Sequence, residues 1–294
     1  MGNGVWRYIR RNPALLIGAI MLLALLLFSL VGSAVYDTSK YRPLSVPPGR
    51  PPSWADPLTR DTNPWQYPLG TDNQGRDLMA VMIAGTPLTV YIGVLAGGLG
   101  ILIGTVLAFT SAYFGGWFDS LVRGVVDVGL TIPGLIILIL FAVAFRGGLN
   151  VTQMALIVAA LAWLGPTRTI RSQVLTLRER SWVQVARLSG MSSVGIIFKE
   201  LLPNLLPYLG ASLVGSVTAA IFASIGLEAL GLGPIDSPTL GMTIYWVIYY
   251  SALLHGMWWW FGPPIAIIIL LFVGLFSVSA GLDEVANPRL RRTV

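Results

Sequence analysis

The sequence predicts an all-α, polytopic membrane protein with about six transmembrane helices. The first reason is composition: of the 294 residues, 55% are hydrophobic and only 11% are charged. A soluble domain usually carries about 25% charged residues, so this chain has too little charge to cover a globular surface. The second reason is the uncharged run from Ala14 to Val35, whose 22 residues suffice to cross a bilayer core of roughly 30 Å.

Six apolar segments of this kind can be placed along the chain. They cover residues 14–36, 86–112, 118–145, 150–164, 206–230 and 258–282. In the second segment we place Thr86 as the N-cap and Pro87 at the first helical position, where the missing N–H has no intrahelical partner to lose. In the third segment, Pro133 and Gly134 are adjacent and predict a kink at mid-depth.

The basic residues favour an orientation with both termini in the cytoplasm. Under that assignment, 13 of the 19 Lys and Arg residues fall in cytoplasmic segments. Positive charge accumulates on the cytoplasmic side of membrane proteins. We therefore attribute the net charge of +6 to membrane topology, and we expect the lipid bilayer rather than a nucleic acid as its partner.

Composition divides the chain into four parts. Residues 1–36 hold the N-terminal tail and the first helix, and residues 37–85 form a proline-rich extracytoplasmic loop, which we expect to be extended and irregular. This loop is either a passive connector or a docking surface for an outside partner. Residues 86–282 form a five-helix core that contains a cytoplasmic segment at 166–205, and residues 283–294 form a basic cytoplasmic tail.

Two patterns inside the predicted helices concern packing. Small residues three or four apart share one face of the second helix, and such a row lets another helix approach closely within lipid. The row is Gly93, Gly97, Gly100 and Gly104. In the third helix, Arg123 and Asp127 are four residues apart, which predicts an intramembrane ion pair.

The segment 166–205 differs from the rest of the chain because it carries six basic residues between two apolar segments. Its centre predicts a short amphipathic helix over 181–189, a turn at Gly190, and a second helix over 192–200 that Pro203 ends. Glycine suits the left-handed position that terminates a helix. The predicted apolar face of the first helix is Trp182, Val185, Ala186 and Ser189.

Four blocks of this sequence resemble the permease subunits of ATP-binding cassette (ABC) importers. Those permeases carry a cytoplasmic motif of Glu-Ala-Ala, three residues, Gly, and a Leu-Pro pair that ends thirteen residues after the Gly. The matching positions here are Gln184, Val185, Ala186, Gly190, Leu202 and Pro203, with Gln184 and Val185 departing from the family letters. The run Pro68–Asp77 resembles the block before the second helix in C-type peptide and nickel permease subunits. The blocks 230–233 and 287–290 also resemble that family.

The resemblance covers roughly residues 1–292 and implies a type I ABC importer (MetI-like) transmembrane domain in a bacterial or archaeal plasma membrane. It implies a second permease subunit of B type, two ATP-binding subunits and an extracytoplasmic substrate-binding protein. The six motif positions would then couple this chain to the ATPases. Peptides are the implied substrate, with oligosaccharides and nickel complexes as alternatives. The family places a glutamate near position 224, whereas this chain has Ser224 there and Glu228 one turn later.

The sequence contains no pattern typical of an enzyme or a metal centre. The chain has no cysteine, and its single histidine, His255, has no partner motif. A P-loop requires Gly-Lys followed by Ser or Thr, but Lys40 follows Ser39 and Lys199 follows Phe198. We therefore expect no cofactor in this chain, with ATP and Mg²⁺ on the partner subunits. A stand-alone secondary transporter would show two related halves, and none is evident.

Overall fold

The computed structural model describes residues 12–58, 63–145 and 148–286. Within these ranges the chain is helical and contains no β-strand, only one isolated bridge between Thr71 and Asp77. The predicted all-α class is therefore confirmed. The N-terminal arginines and residues 287–294, which belong to the predicted segments 1–36 and 283–294, lie outside the described residues.

Eleven α-helices occur in the described part of the chain. They are α1 (Pro13–Val35), α2 (Leu78–Phe114), α3 (Gly116–Thr131), α4 (Gly134–Ala144), α5 (Val151–Ala162), α6 (Leu164–Arg178), α7 (Ser181–Leu188), α8 (Ser193–Ile196), α9 (Leu202–Ala229), α10 (Leu240–Tyr249) and α11 (Trp258–Ala286). A 3₁₀ turn at Thr38–Tyr41 follows α1, and a π-helical turn at Ile197–Leu201 joins α8 to α9.

Four helices in the described ranges are long and apolar enough to cross a membrane, and the bent pair α3–α4 makes five if it counts as one crossing. The four are Pro13–Val35, Leu78–Phe114, Ser193–Ala229 and Trp258–Glu284. The predicted fourth crossing corresponds to α5, whose 12 residues reach only about 18 Å. It continues through the helical backbone of Trp163 into α6.

The predicted start of α2 was wrong. The helix begins at Leu78, with the Asp77 side chain accepting a hydrogen bond from the Met79 N–H at 2.9 Å. Thr86 lies inside the helix and donates its hydroxyl to the Met82 carbonyl, and Pro87 is also internal. The apolar residues before Thr86 are buried, so tertiary packing extends the helix past a proline that would otherwise start it.

The row of glycines on α2 lies against two neighbouring helices. Cβ atoms built on these residues would collide with Ile221 at Gly93, with the Val217 backbone at Gly97, with Ala162 at Gly100, and with Pro166 at Gly104. The first two partners belong to α9 and the last two to the α5–α6 helix. Because a glycine allows each backbone to approach so closely, α2 is the central helix on which both neighbours pack.

The chain breaks sharply between α3 and α4. The two helices are bent by 89° at the Ile132–Pro133 step, where the backbone of Ile132 is extended. A kink was predicted at this proline, and the structure forms a full change of direction there. The α4 helix consequently packs on α5 and α9 instead of continuing along α3.

The helix bundle has a loop end and a hairpin end. At the loop end, residues 37–77 and 230–257 meet the start of α2: Trp259 donates to the Thr71 carbonyl at 3.3 Å, and Gly85 contacts the Pro238 carbonyl. At the hairpin end, residues 181–201 pack on Phe109 near the end of α2. The α2 helix, with 37 residues, spans about 55 Å between the two ends.

In its described residues before α2 the proline-rich loop is irregular, as expected, with only a 3₁₀ turn of regular structure, but it is folded into turns, so the expectation of an extended segment was wrong. The Asp72 carboxylate accepts hydrogen bonds from the Gln74 and Arg76 N–H groups and pairs with Arg76 Nε at 2.6 Å. Both side chains are buried. Gly75 has φ +70°, and a Cβ there would lie 2.5 Å from the Val46 carbonyl oxygen. Hydrogen bonds between side chains and backbone hold this loop in one conformation, and the hydrophobic periodicity of the sequence does not predict such bonds.

Replacing Gly97 by alanine is expected to lower the unfolding temperature of the detergent-solubilised protein. The new Cβ would lie 2.6 Å from the Val217 backbone, and overpacking of this kind costs about 1–3 kcal/mol. The neighbouring Gly98 has no atom within 4 Å of its Cβ position, so Gly98→Ala is the matched control. It should keep or raise the unfolding temperature because alanine favours a helix. Equal unfolding temperatures would contradict the close approach of α2 and α9.

Replacing Arg76 by methionine is expected to open the loop at 37–77 to protease. The change leaves the Asp72 carboxylate buried without its cation, which costs about 3–5 kcal/mol. Arg50→Met provides the comparison, because Arg50 is 41% exposed and lies 3.6 Å from the buried Asp56. A pair whose cation is screened by solvent contributes less than a pair buried on both sides. Limited proteolysis of both variants measures the difference, and similar cleavage rates would show that the buried pair does not hold the loop.

Candidate functional site

The predicted segment 181–201 forms a helical hairpin made of α7, a turn, α8 and the π-helical turn. The Gly190 N–H donates to the Arg187 carbonyl and the Met191 N–H donates to the Ala186 carbonyl, both at 3.1 Å. This pair of bonds is the Schellman arrangement that ends a helix. Gly190 has φ +79°, and no atom lies within 4 Å of its Cβ position. Backbone conformation alone therefore requires glycine here.

The hairpin is anchored in the bundle by apolar side chains that the sequence did not single out. Val183, Ile196 and Leu201 are at most 1% exposed. They pack in one cluster with Phe109 of α2 and Val174 of α6. Leu205 at the start of α9 belongs to the same cluster, so the hairpin is fixed to α2, α6 and α9 and is not a free loop.

The predicted common face of α7 is buried only in part. Trp182 and Ala186 are half-buried, but Ser189 is exposed and Val185 is 61% exposed. Four apolar side chains instead point outward from the hairpin. They are Val185, Leu188, Val194 and Phe198, each at least 59% exposed. Exposed apolar groups gathered on one short element are typical of a protein contact surface.

Gln184, at the position where the family has an acid, is also exposed. Its side-chain amide donates to the Glu179 carbonyl within the same segment at 3.4 Å. The Gln184 oxygen and the surrounding surface are therefore accessible from outside the chain.

Pro203 does not end the second helix, contrary to prediction. The Leu202 N–H donates to the Ile197 carbonyl in the π-helical turn, which shifts the bonding by one residue, and Pro203 then occupies the second position of α9. Residues Ser193–Ala229 consequently form one helix of 37 residues, about 55 Å long. The hairpin is continuous with a helix that reaches the loop end.

A cavity of about 710 Å³ opens beside α9. Its walls come from α9, α4, the α5–α6 helix and the part of α11 that carries Ser279 and Asp283, and its floor on α9 is a row of small residues three or four apart. That row is Gly215, Ala219, Ala223 and Gly226. No atom lies within 4 Å of the Cβ position of Gly215, whereas at Gly226 the Leu135 side chain of α4 lies 3.8 Å away, so the described chain leaves the Gly215 part of the row uncovered. It differs in this respect from the filled row on α2.

No salt bridge joins Arg123 to Asp127 in the described ranges. Asp119, one turn before Arg123, is the α3 carboxylate that forms an ion pair among the described residues. Its partner is Arg171 of α6, whose Nε and Nη2 each lie 2.6 Å from a carboxylate oxygen. This bond raises the pKa of the Arg171 guanidinium. Arg123 and Asp127 line a cavity of about 170 Å³ between α3 and α6 together with Arg168. The ion pair of this region therefore joins Asp119 and Arg171 of two different helices, and the predicted pair of Arg123 and Asp127 does not form in this part of the described chain.

Comparison with known proteins agrees with this arrangement. Residues 100–292 match the family model described as "Binding-protein-dependent transport system inner membrane component". Residues 2–48 match the "N-terminal TM domain of oligopeptide transport permease C".

Several curated proteins are similar over most of their length. The dipeptide transport system permease protein DppC of Bacillus subtilis is 30% identical over 98% of this chain and 85% of its own. The oligopeptide transport system permease protein OppC of Bacillus subtilis is 28% identical over 96% and 88%. The OppC protein of Mycobacterium bovis is 31% identical over 70% and 66%. The protein therefore belongs to the family of binding-protein-dependent transport system inner membrane components and is a multi-pass membrane permease.

Proposed function

We propose that this chain is the C-type permease subunit of an ATP-driven peptide importer in a bacterial or archaeal plasma membrane. The observation that carries the proposal is the hairpin, which exposes apolar side chains on one side and is anchored in three helices on the other. When a protein bound to such a surface moves, it displaces the hairpin and the attached helices as a rigid body. This is the arrangement that coupling to a separate ATPase requires.

In this proposal the hairpin inserts into a cleft on an ATP-binding subunit. Gln184, Val185 and Ala186 lie on α7, and the turn at Gly190 sets the angle between the two arms. Leu202 and Pro203 lie where the second arm passes into α9. ATP and Mg²⁺ are bound by the partner subunits, and closure of two such subunits moves the hairpin.

The cavity beside α9 is the half of the translocation pathway that this chain contributes. A second permease subunit of B type completes it from the open side. The walls are mostly apolar and small, with hydroxyls such as those of Ser212 and Ser216 and one carboxylate, Asp283. A lining with a single acidic side chain and no cluster of charges binds weakly and releases its cargo, as a pathway must.

The loop end faces the outside, and both termini face the cytoplasm. This orientation follows from the distribution of basic residues and places the folded loop at 37–77 toward an extracytoplasmic substrate-binding protein. Selectivity then resides mainly in that soluble partner. Peptides are proposed as the substrate because the similar proteins are named dipeptide and oligopeptide permeases. Oligosaccharides and nickel complexes are the alternatives.

Gly190→Val is expected to reduce ATP-dependent uptake about tenfold without loss of membrane insertion. A side chain in the left-handed region costs about 1–2 kcal/mol, and 1.4 kcal/mol changes the population of the docking-competent hairpin tenfold. Gly190→Asn is the matched control, because asparagine tolerates this conformation and the Cβ position is open. Uptake and ATP hydrolysis are measured in proteoliposomes of the whole complex. Normal uptake by the valine variant at normal expression would exclude the coupling role.

The substrate is tested with the chain reconstituted alongside its partner permease, ATPase and binding-protein subunits. Labelled di- and oligopeptides should accumulate only when ATP and the binding protein are both present. Labelled oligosaccharides and Ni²⁺ complexes serve as competing substrates in the same vesicles. Uptake of one of these in place of peptides would replace the proposed substrate, and uptake that persists without ATP would contradict an ATP-driven importer.

A further inference from the structure

The last turn of α9 holds a carboxyl group that is completely buried. Glu228 is 0% exposed and lies one residue before the end of the helix. Its Oε2 atom accepts hydrogen bonds from the Thr239 hydroxyl at 2.6 Å and from the Met242 N–H at 3.0 Å. Thr239 is the N-cap of α10, and Met242 belongs to its first turn. Glu228 thus binds the start of a different helix.

The binding follows from the physics of helix ends. The first N–H groups of a helix have no intrahelical partner, and the helix dipole favours negative charge beside them. The Glu228 side chain of α9 supplies the acceptor. The connection is specific to Glu228, because Ser224 one turn earlier donates its hydroxyl to Ile221 of its own helix.

Two glycines enclose the Glu228 side chain. A Cβ atom on Gly233 would lie 2.6 Å from Glu228 Cγ, and one on Gly241 would collide with Oε2. The segment between α9 and α10 therefore folds tightly over the carboxylate. Any separation of α10 from α9 would break both hydrogen bonds and leave the Glu228 side chain without partners. The free-energy cost of that loss keeps the two helix ends together.

The start of α10 is also attached to α2. The Leu240 N–H donates to the Thr89 hydroxyl at 3.0 Å, and Pro238 contacts Gly85. Further along, the Arg76 guanidinium of the folded loop lies 5.6 Å from the centre of the Trp246 ring. The α10 helix is therefore held at one end by polar bonds, while Ile248 and Tyr249 at its other end are more than half exposed.

We infer that Glu228 is a positioning residue that fixes α10 to the end of the long helix 193–229, so that displacement of the hairpin also displaces α10 at the loop end. This inference rests on the proposed function. The helix is continuous from Ser193 to Ala229, so the two sites lie on one helical element about 55 Å long. The exposed aromatic end of α10 then acts as the moving part of an outer gate.

The absence of cysteine from the chain permits a direct test. Nitroxide labels at Leu213→Cys on α9 and Ile248→Cys on α10 report the distance between the helices in the full complex with cysteine-free partners. Both positions are at least 40% exposed. In the wild-type background we expect one narrow distance distribution that is the same without nucleotide and with ATP bound.

Glu228→Ala should broaden or shift that distribution and raise the ATP hydrolysed per peptide imported several-fold. Glu228→Gln keeps an oxygen acceptor and should restore a narrow distribution. Ser224→Ala is the matched control on the same helix and should change neither quantity. A purely structural role would lower the yield of folded complex but leave uptake per ATP unchanged in the folded fraction.

Thr239→Val is the second variant if Glu228→Ala does not fold, because it removes one donor and keeps the carboxylate. It should broaden the distribution to a smaller extent. Suppose that the wild type is active and that Glu228→Ala and Thr239→Val change neither the label distance nor the ATP hydrolysed per peptide. That result would overturn this inference and leave the proposed function standing. A wild-type distance that changes with ATP would also overturn this inference. Absence of ATP-dependent uptake in the wild type would overturn the proposed function and this inference together.

Discussion

The close approach of backbones along α2 is the constraint on which the other features depend. Apolar helices gain little from contact with one another in lipid, so association relies on van der Waals contact at short range. Gly97 touches the Val217 backbone and Gly100 touches Ala162, which fixes α9 and the α5–α6 helix on either side of α2. The hairpin is anchored on the ends of these helices and the cavity lies between them, so both inherit their geometry from this contact.

Three polar contacts join separate elements of the bundle. Asn12 at the start of α1 donates to Glu284 near the end of α11 at 2.7 Å, Tyr36 donates to Asp77 at 2.6 Å, and Glu228 accepts from Thr239. A buried polar group is costly unless it is bonded, so each of these contacts specifies one relative placement of two segments. Apolar contacts give the bundle its stability, and these few bonds define which ends meet.

Hydropathy predicted the apolar segments well because membrane crossing depends on length and polarity, which can be read directly from sequence. Local rules failed where tertiary contacts competed with them. Thr86–Pro87 has the pattern of a helix start, yet the buried residues before it extend α2 to Asp77. Val183 rather than Val185 faces the core, because eight residues give too little periodicity to define a face. Pro203 was expected to end a helix, and a π-helical turn accommodates it.

The two rows of small residues show why composition alone does not define an interface. On α2 every position of the row contacts another helix of the same chain, whereas Gly215 on α9 has nothing within 4 Å. The part of this row around Gly215, which its own chain leaves uncovered, gains nothing from lipid, because lipid does not need such a smooth surface. Its use must come from another helix or from a passing solute, and the adjoining cavity of about 710 Å³ provides room for both. Because the same helix is continuous with the exposed hairpin, any force applied to that hairpin acts directly on the wall of this cavity.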